Sequence, residues 1–297
     1  MKFNPSRRLL CVLLPICMTL AACGGGGGDA AGNNTLAAAS SNSFSPTTAK
    51  ASSGQNVALR WVYAVNNGQP VTAKLLGVSI GISVSTAEVT LDPGSLKRVV
   101  TMQGAVSGSA SGTTFDGSFA ATSGADLLQS AGKTLFKNQS TEVNLTLTGG
   151  GETATGKLTA AVGAFAPAYE WFLDRETLDQ LPIGYVQTVT SNGVADINIT
   201  ITGETPIVKS NLATAVSDRW TVLEKLPTLV VRGKTYTNVV KASLQTRVPD
   251  FSGGLTTVTI YYWVAKGVGM IKGQGIFRIL DVDDVIYELT ETNLAQV

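Results

Sequence analysis

Histidine is absent from all 297 residues. That removes Ser-His-Asp and Cys-His catalysis, histidine general bases, and most zinc, copper and non-haem iron sites. Cysteine is scarce: the chain has 3, and Cys11, Cys17 and Cys23 all stand near its start. The rest of the chain holds no thiolate nucleophile, no disulfide and no Cys-ligated metal. A chain this long builds a core large enough to do without disulfides. Charge is sparse and balanced, at 14% charged residues and a formal net of +1, which lacks the basic excess of a nucleic-acid footprint. Aromatic residues make up 7%, few for a glycosidase, which needs aromatic platforms. With 44% hydrophobic residues, the chain is nevertheless well supplied for folding.

The opening residues carry the most specific signal. Lys2, Arg7 and Arg8 form a basic region, and Leu9 to Leu20 form an apolar stretch too short to span a bilayer. Leu20-Ala21-Ala22-Cys23 closes it with small residues before a cysteine. On these residues the chain resembles a bacterial lipoprotein. The resemblance implies a signal peptide over 1–22, signal-peptidase recognition of Leu20, Ala21 and Ala22, and lipidation of Cys23 by a diacylglyceryl thioether and an amino-linked acyl chain such as palmitate. Three acyl chains give durable anchoring where one is marginal. Gly24 stands where the enteric inner-membrane retention rule calls for Asp, so the resemblance points to the outer membrane, with a periplasmic or surface-facing domain. Ser6-Arg7-Arg8 has the twin arginines of an alternative export signal, but an ordinary basic region accounts for them. With the three basic residues of the leader removed, 19 of the 22 remain against 21 acidic ones, a net of −2.

Residues 23–56 read as a flexible tether rich in Gly, Ser and Ala. From Val57 the period changes to two. Val143, Leu145 and Leu147 alternate with polar neighbours, as do Ile197, Ile199 and Ile201, and Val258, Ile260, Tyr262 and Val264. Turn chemistry punctuates the runs at Asn67-Gly68, Asp92-Pro93-Gly94, Gly149-Gly150-Gly151, Asn192-Gly193 and Ser252-Gly253-Gly254. This predicts an all-β, antiparallel, strongly curved sheet, as a half-barrel or a sandwich. One segment breaks the pattern. Over Ala168 to Leu181, Trp171, Leu178 and Leu181 fall at helical spacing before Pro182 and Gly184, which predicts one short helix or helical turn. It divides a β-rich part at 57–165 from another at 166–297. Two domains and one continuous sheet both fit.

Several motifs could carry chemistry. Gly151 to Lys157 has the glycine and lysine spacing of a phosphate loop, but Leu158 lacks the needed hydroxyl and a strand follows, so a hairpin turn is expected. Gly132-Lys133-Thr134 lacks the upstream glycine. Asp281, Asp283 and Asp284 resemble a calcium loop but read better as a solvated hairpin tip. Glu170, Asp174, Glu176 and Asp179 crowd the helical segment around Arg175. Paired carboxylates are the one acid–base kit open to the chain, as in glycoside hydrolysis, although one-turn spacing favours a solvated face. Ser243 is two residues from Lys241, which gives only a shared strand face.

The most distinctive stretch of the second part is Tyr261-Tyr262-Trp263-Val264-Ala265-Lys266-Gly267-Val268-Gly269-Met270-Ile271-Lys272. It reads as an aromatic strand, a turn on two glycines, and a second strand, with Lys266 and Lys272 on the wet side. Upstream lie Trp220 and the turn–strand pair Gly233 to Lys241. This order resembles the secreted half-barrel β domains grouped with the LolA/LolB lipoprotein carriers and TapB-like proteins. Over about 183–294, the resemblance implies a curved sheet around an apolar concavity plugged by helices.

The expectation is therefore a membrane-anchored, non-catalytic β domain that binds or scaffolds, with no cofactor, no metal, no catalytic residues and no nucleic-acid partner. Its partners would be the membrane, through the lipid, and an apolar ligand or envelope protein. The alternatives are a carrier of an apolar ligand, such as an acyl chain or a lipoprotein, and a carboxylate-dependent glycan hydrolase. Ligand, partner and oligomeric state are not written in the sequence.

Overall fold

A computed structural model describes residues 56–294, apart from 76–77, 111, 131–132, 163–168, 171, 176, 202–204, 250–254 and 277–283, together with 37–38 and 49–50. The expected leader, its recognition residues Leu20, Ala21 and Ala22, and Cys23 lie outside the described residues, as do Leu280 to Asp283 and the Ser252-Gly253-Gly254 turn.

The fold is all-β and antiparallel. Three two-residue strands, β1 (Ala37–Ala38), β2 (Ala49–Lys50) and β3 (Asn56–Val57), make a small sheet. All other strands join one large curved sheet of 14 strands. Its first run comprises β4 (Leu59–Val65), β5 (Val71–Leu75), β6 (Val78–Asp92), β7 (Lys97–Ala110), β8 (Thr113–Ser130), β9 (Lys133–Gly149) and β10 (Glu152–Val162). After the short β11 (Tyr169–Glu170), the second run comprises β12 (Val186–Ile201), β13 (Ile207–Val231), β14 (Lys234–Pro249), β15 (Leu255–Ala265), β16 (Gly269–Ile276) and β17 (Val285–Thr292). Most neighbours in sequence are neighbours in the sheet. Four pairings join strands that are not consecutive: β4 with β6, β9 with β11, β10 with β12, and β17 with β4. The two β-rich parts thus share a single sheet.

Burial follows the predicted alternation. On β4, Leu59, Trp61, Tyr63 and Val65 are buried and the intervening residues are not. Val143, Leu145 and Leu147 of β9 face Leu158, Gly156 and Ala154 of β10 on the core side. These residues join the main apolar cluster, which also draws on β6 to β8 and β14 to β17. Each large side chain moved out of water contributes roughly 1.5–3 kcal/mol.

Glycines let the core close in the first run. Gly104 pairs with Phe119, and Gly108 with Phe115. A Cβ on Gly104 would sit 2.0 Å from the Ser83 carbonyl oxygen, and one on Gly117 would sit 1.9 Å from that of Thr146. At Gly104 and Gly108 the missing side chains are the seats of the Phe119 and Phe115 rings.

Turn predictions divide. Asn67 (φ 53°) and Gly68 (φ 78°) form the expected turn, and Gly150 and Gly151 (φ 62° and 82°) join β9 to β10. The Asp92 carboxylate accepts the Gly94 N–H at 2.9 Å and the Ser95 hydroxyl at 2.7 Å, and these bonds, Ser95's first, hold its pKa below the ordinary range. Asn192-Gly193 is not a turn. It lies inside β12, where Gly193 is opposite Val162 on β10 and Thr214 on β13, so ladder pairing on both sides overrides the local turn preference.

The helical segment takes the form of two 3₁₀ turns, Phe172–Asp174 and Leu178–Gln180. Their apolar residues pack into the sheet as a second core cluster. Phe172 and Leu178 are fully buried there with Trp220, Val240, Ala242, Ile260, Tyr262 and Val264. The ring of Phe172 stacks on Trp220 at 5.3 Å and 11°, and Trp220 meets Tyr262 at 5.4 Å.

The chain's first and last long strands are clasped together. Arg60 bonds Glu88 of β6 at 2.9 Å and Glu291 of β17 at 2.7 Å. Asn293 receives the Arg60 backbone N–H and donates to the Ala58 carbonyl. The Glu88 bond leads the causes that raise the Arg60 pKa.

Candidate functional site

The outer face of β7 to β10 and β12 carries a groove of about 500 Å³ that runs across the strands. Register explains it. One row crosses the sheet as Val99, Gly124, Ser140, Ala161 and Val194, each directly opposite the next. Its three middle members are small, so the surface dips between two valines. The adjacent row runs Thr122, Glu142, Thr159 and Asp196 and forms a polar wall. Lys97 stands at one end.

A buried hydroxyl cluster supports the floor from the core side. Ser123, 2% exposed, accepts from Thr141 at 2.9 Å and Gln139 at 3.2 Å, and donates to the Ser140 carbonyl oxygen at 3.3 Å. Its bonds are made within the sheet, so it acts as a strut. On the wall, Glu142 binds Lys157 at 2.9 Å and Asn144 at 2.8 Å. Lys157 and then Asn144 hold the Glu142 pKa below the usual carboxylate range. Asp196 accepts the Asn211 N–H at 2.8 Å, beside the β12–β13 irregularity.

Gly124 is unlike the core glycines. A Cβ there would lie 3.5 Å from Lys97 Cε and 3.8 Å from Ser140 Oγ, which is ordinary contact distance. Packing does not require this glycine. Its small size keeps the groove open.

The motifs named from sequence fall elsewhere or dissolve. Gly151 to Lys157 is a hairpin turn running into β10. Gly156 faces the core, and Lys157 points outward to Glu142, so no helix N-terminus aims at a phosphate. Asp284 is exposed and accepts from Gln274 at 2.6 Å. Of the four carboxylates near the helical segment, Asp179 has a described side chain, and it accepts from Lys266 Nζ at 2.9 Å. That pair ties the 3₁₀ segment to the β15–β16 turn, so Lys266 is partnered instead of wet. The turn itself forms as expected, with Gly267 and Gly269 at φ 77° and 98°. Lys272 does face outward. It lies 5.7 Å from the Trp263 ring, which Lys241 approaches at 5.1 Å, and it pairs with Glu288 at 3.3 Å. Ser243 is buried, and Lys241 lies against the Tyr261 and Trp263 rings.

One partly buried acid escaped the sequence reading. Asp218 shares the core-side face of β13 with Trp220. Burial is the leading cause that pushes its pKa up to about 6, with a Thr246 hydrogen bond acting in the opposite sense. Nothing local marks it, because it gains its surroundings only when β12 and β14 flank β13. The groove escaped for a similar reason, since its members come from five strands. Its one sequence signature is small residues at outward positions 124, 140 and 161.

No protein-family model matches the chain, and no curated protein matches it. Among solved structures, it is similar to a protein from Bacteroides fragilis described as exported, with a YmcC-like fold. The two are 11% identical with a TM-score of 0.30, over 79% of this chain and 94% of that one. A likeness at that level carries no argument about function.

Proposed function

We propose that the chain is a lipid-anchored lipoprotein of the bacterial cell envelope whose β domain binds or scaffolds and catalyses no reaction. Cys23 carries the lipid, and the outer membrane is its destination. One observation supports the binding role above others: the sheet is a filled shell with an open groove on its outer face. Such a shell offers a preorganised recognition surface. The carboxylates within reach of the groove are engaged, Glu142 with Lys157 and Asp196 with a backbone N–H. Labelling cells with radioactive palmitate tests the anchor. Label on the parent chain and none on Cys23→Ser is the expected outcome. An unlabelled parent chain overturns it.

The second core cluster favours a second reading, a carrier of an apolar ligand. Phe172, Leu173 and Leu178 occupy an aromatic and aliphatic seat on β13 to β15. Among the described residues, the 3₁₀ turns' backbone hydrogen bonds stay within the segment, such as Leu178 N–H to the Arg175 carbonyl. If the turns move aside, an acyl chain can take their place. Native mass spectrometry of the Cys23→Ser protein then shows co-purifying lipid. A clean protein mass, together with no binding of a hydrophobic dye, defeats this reading.

A further inference from the structure

We infer that the groove across β7 to β10 and β12 takes an uncharged, polyhydroxylated chain: a neutral glycan segment lying crosswise to the strands. This deepens the reading of the domain as a binding module and rests on it. Three observations carry the inference.

The first is charge. Glu142 is neutralised by Lys157, and the other two charged lining residues, Lys97 on β7 and Asp196 on β12, are of opposite sign at opposite ends of the groove. A ligand of either sign gains little from this balance. A neutral partner with many donors and acceptors gains most, because the wall offers the Thr122 and Thr159 hydroxyls beside carboxylate oxygens that accept.

The second is shape. Gly124, Ser140 and Ala161 make a floor without projections, and Gly124 is not demanded by packing. Five strands spaced about 4.8 Å apart give a trough of roughly 19 Å, long enough for several pyranose rings.

The third is what the groove withholds from a peptide. Its apolar anchors are limited to Val99, Val194 and two alanines, whereas peptide sites take their energy from large buried anchors. Strand addition is also closed off, because each of these five strands is already paired on both sides along the groove.

The test is titration calorimetry of the full chain with cellohexaose, chitohexaose, the polyanion polygalacturonate and a mixed-sequence hexapeptide. At least one neutral hexasaccharide binds, with a Kd of about 1 mM or tighter. Gly124→Trp and Ala161→Tyr, which fill the trough, each weaken that binding at least about tenfold, while Lys272→Ala, on β16 away from the groove, leaves it unchanged. The melting temperature of each variant is read alongside, and the milder Gly124→Val replaces any variant that does not fold. No neutral binding at about 10 mM, equal binding by the filled variants, or preference for the polyanion or the peptide overturns the inference. The palmitate label reports on the anchor alone. Labelled protein without sugar binding therefore sinks the glycan inference and spares the anchor, and sugar binding without label does the reverse.

Discussion

The strands from β6 to β10 and those from β13 to β15 cover their inner faces by opposite means. In the first run the sheet fills itself. Phe115 and Phe119 fold over glycines on the neighbouring strand, and the space a Cβ would need is already taken. In the second run the sheet is wide open until an added segment fills it: Phe172, Leu173 and Leu178 descend onto Trp220 and Tyr262. The first solution is rigid, because each glycine is locked by backbone on the next strand. The second is modular, because the filler is two short turns tied down by side chains. The difference teaches where each half can change. Substitutions in the first run meet backbone, while those in the second meet a movable partner.

That contrast can be broken in four ways. The largest effect is expected for Trp220→Ala, which empties the centre of the aromatic stack and costs about 3–5 kcal/mol in urea unfolding. Near-parent stability would mean that the 3₁₀ segment collapses into the hole. Next, Gly117→Ala places a Cβ against the Thr146 carbonyl and costs about 2–3 kcal/mol, while Gly124→Ala stays within about 0.5 kcal/mol of the parent. Equal effects would erase the distinction between the core glycines and the groove glycine.

Asp218 gives the pH-dependent arm. Its folded pKa of about 6 lies above the ordinary 3.8, so the folded state holds the proton more tightly than the unfolded chain. Its contribution favours folding below about pH 4 and is lost as pH rises to about 6. Asp218→Asn should then add about 2 kcal/mol at pH 7.5, nothing at pH 3.5, and flatten the profile between them. A profile unchanged by the substitution rejects this account. The smallest effect belongs to the Lys266–Asp179 pair. It is about one-quarter to one-third exposed, and Asp179→Asn should cost less than about 1 kcal/mol, while hydrogen exchange in residues 172–181 quickens. Unaltered exchange would show that aromatic packing alone seats the segment.

The period-two runs foretold the strands because burial on one face needs that alternation. Val143, Leu145 and Leu147 are buried as their spacing says, and so are Val258, Ile260, Tyr262 and Val264. Turns demanding positive φ were equally legible at Asn67-Gly68 and Gly150-Gly151. Asn192-Gly193 misled because turn chemistry is local, whereas the pairing that absorbs it comes from strands 31 residues before and 21 after Gly193, at Val162 and Thr214. The same limit hid the β17–β4 and β10–β12 neighbours, the groove that β10 and β12 help to shape, and the partly buried setting of Asp218. Each depends on which strands meet, and period carries no information about that.

The clasp at Arg60 has a mechanical consequence. A tug on the chain from its N-terminal side reaches the large sheet through β4, whose main chain is held by β6 on one flank and β17 on the other. Force along that strand loads many bonds in shear at once, with the guanidinium fork bridging both flanks. A chain pulled from that side would therefore yield last in the strand that receives the pull.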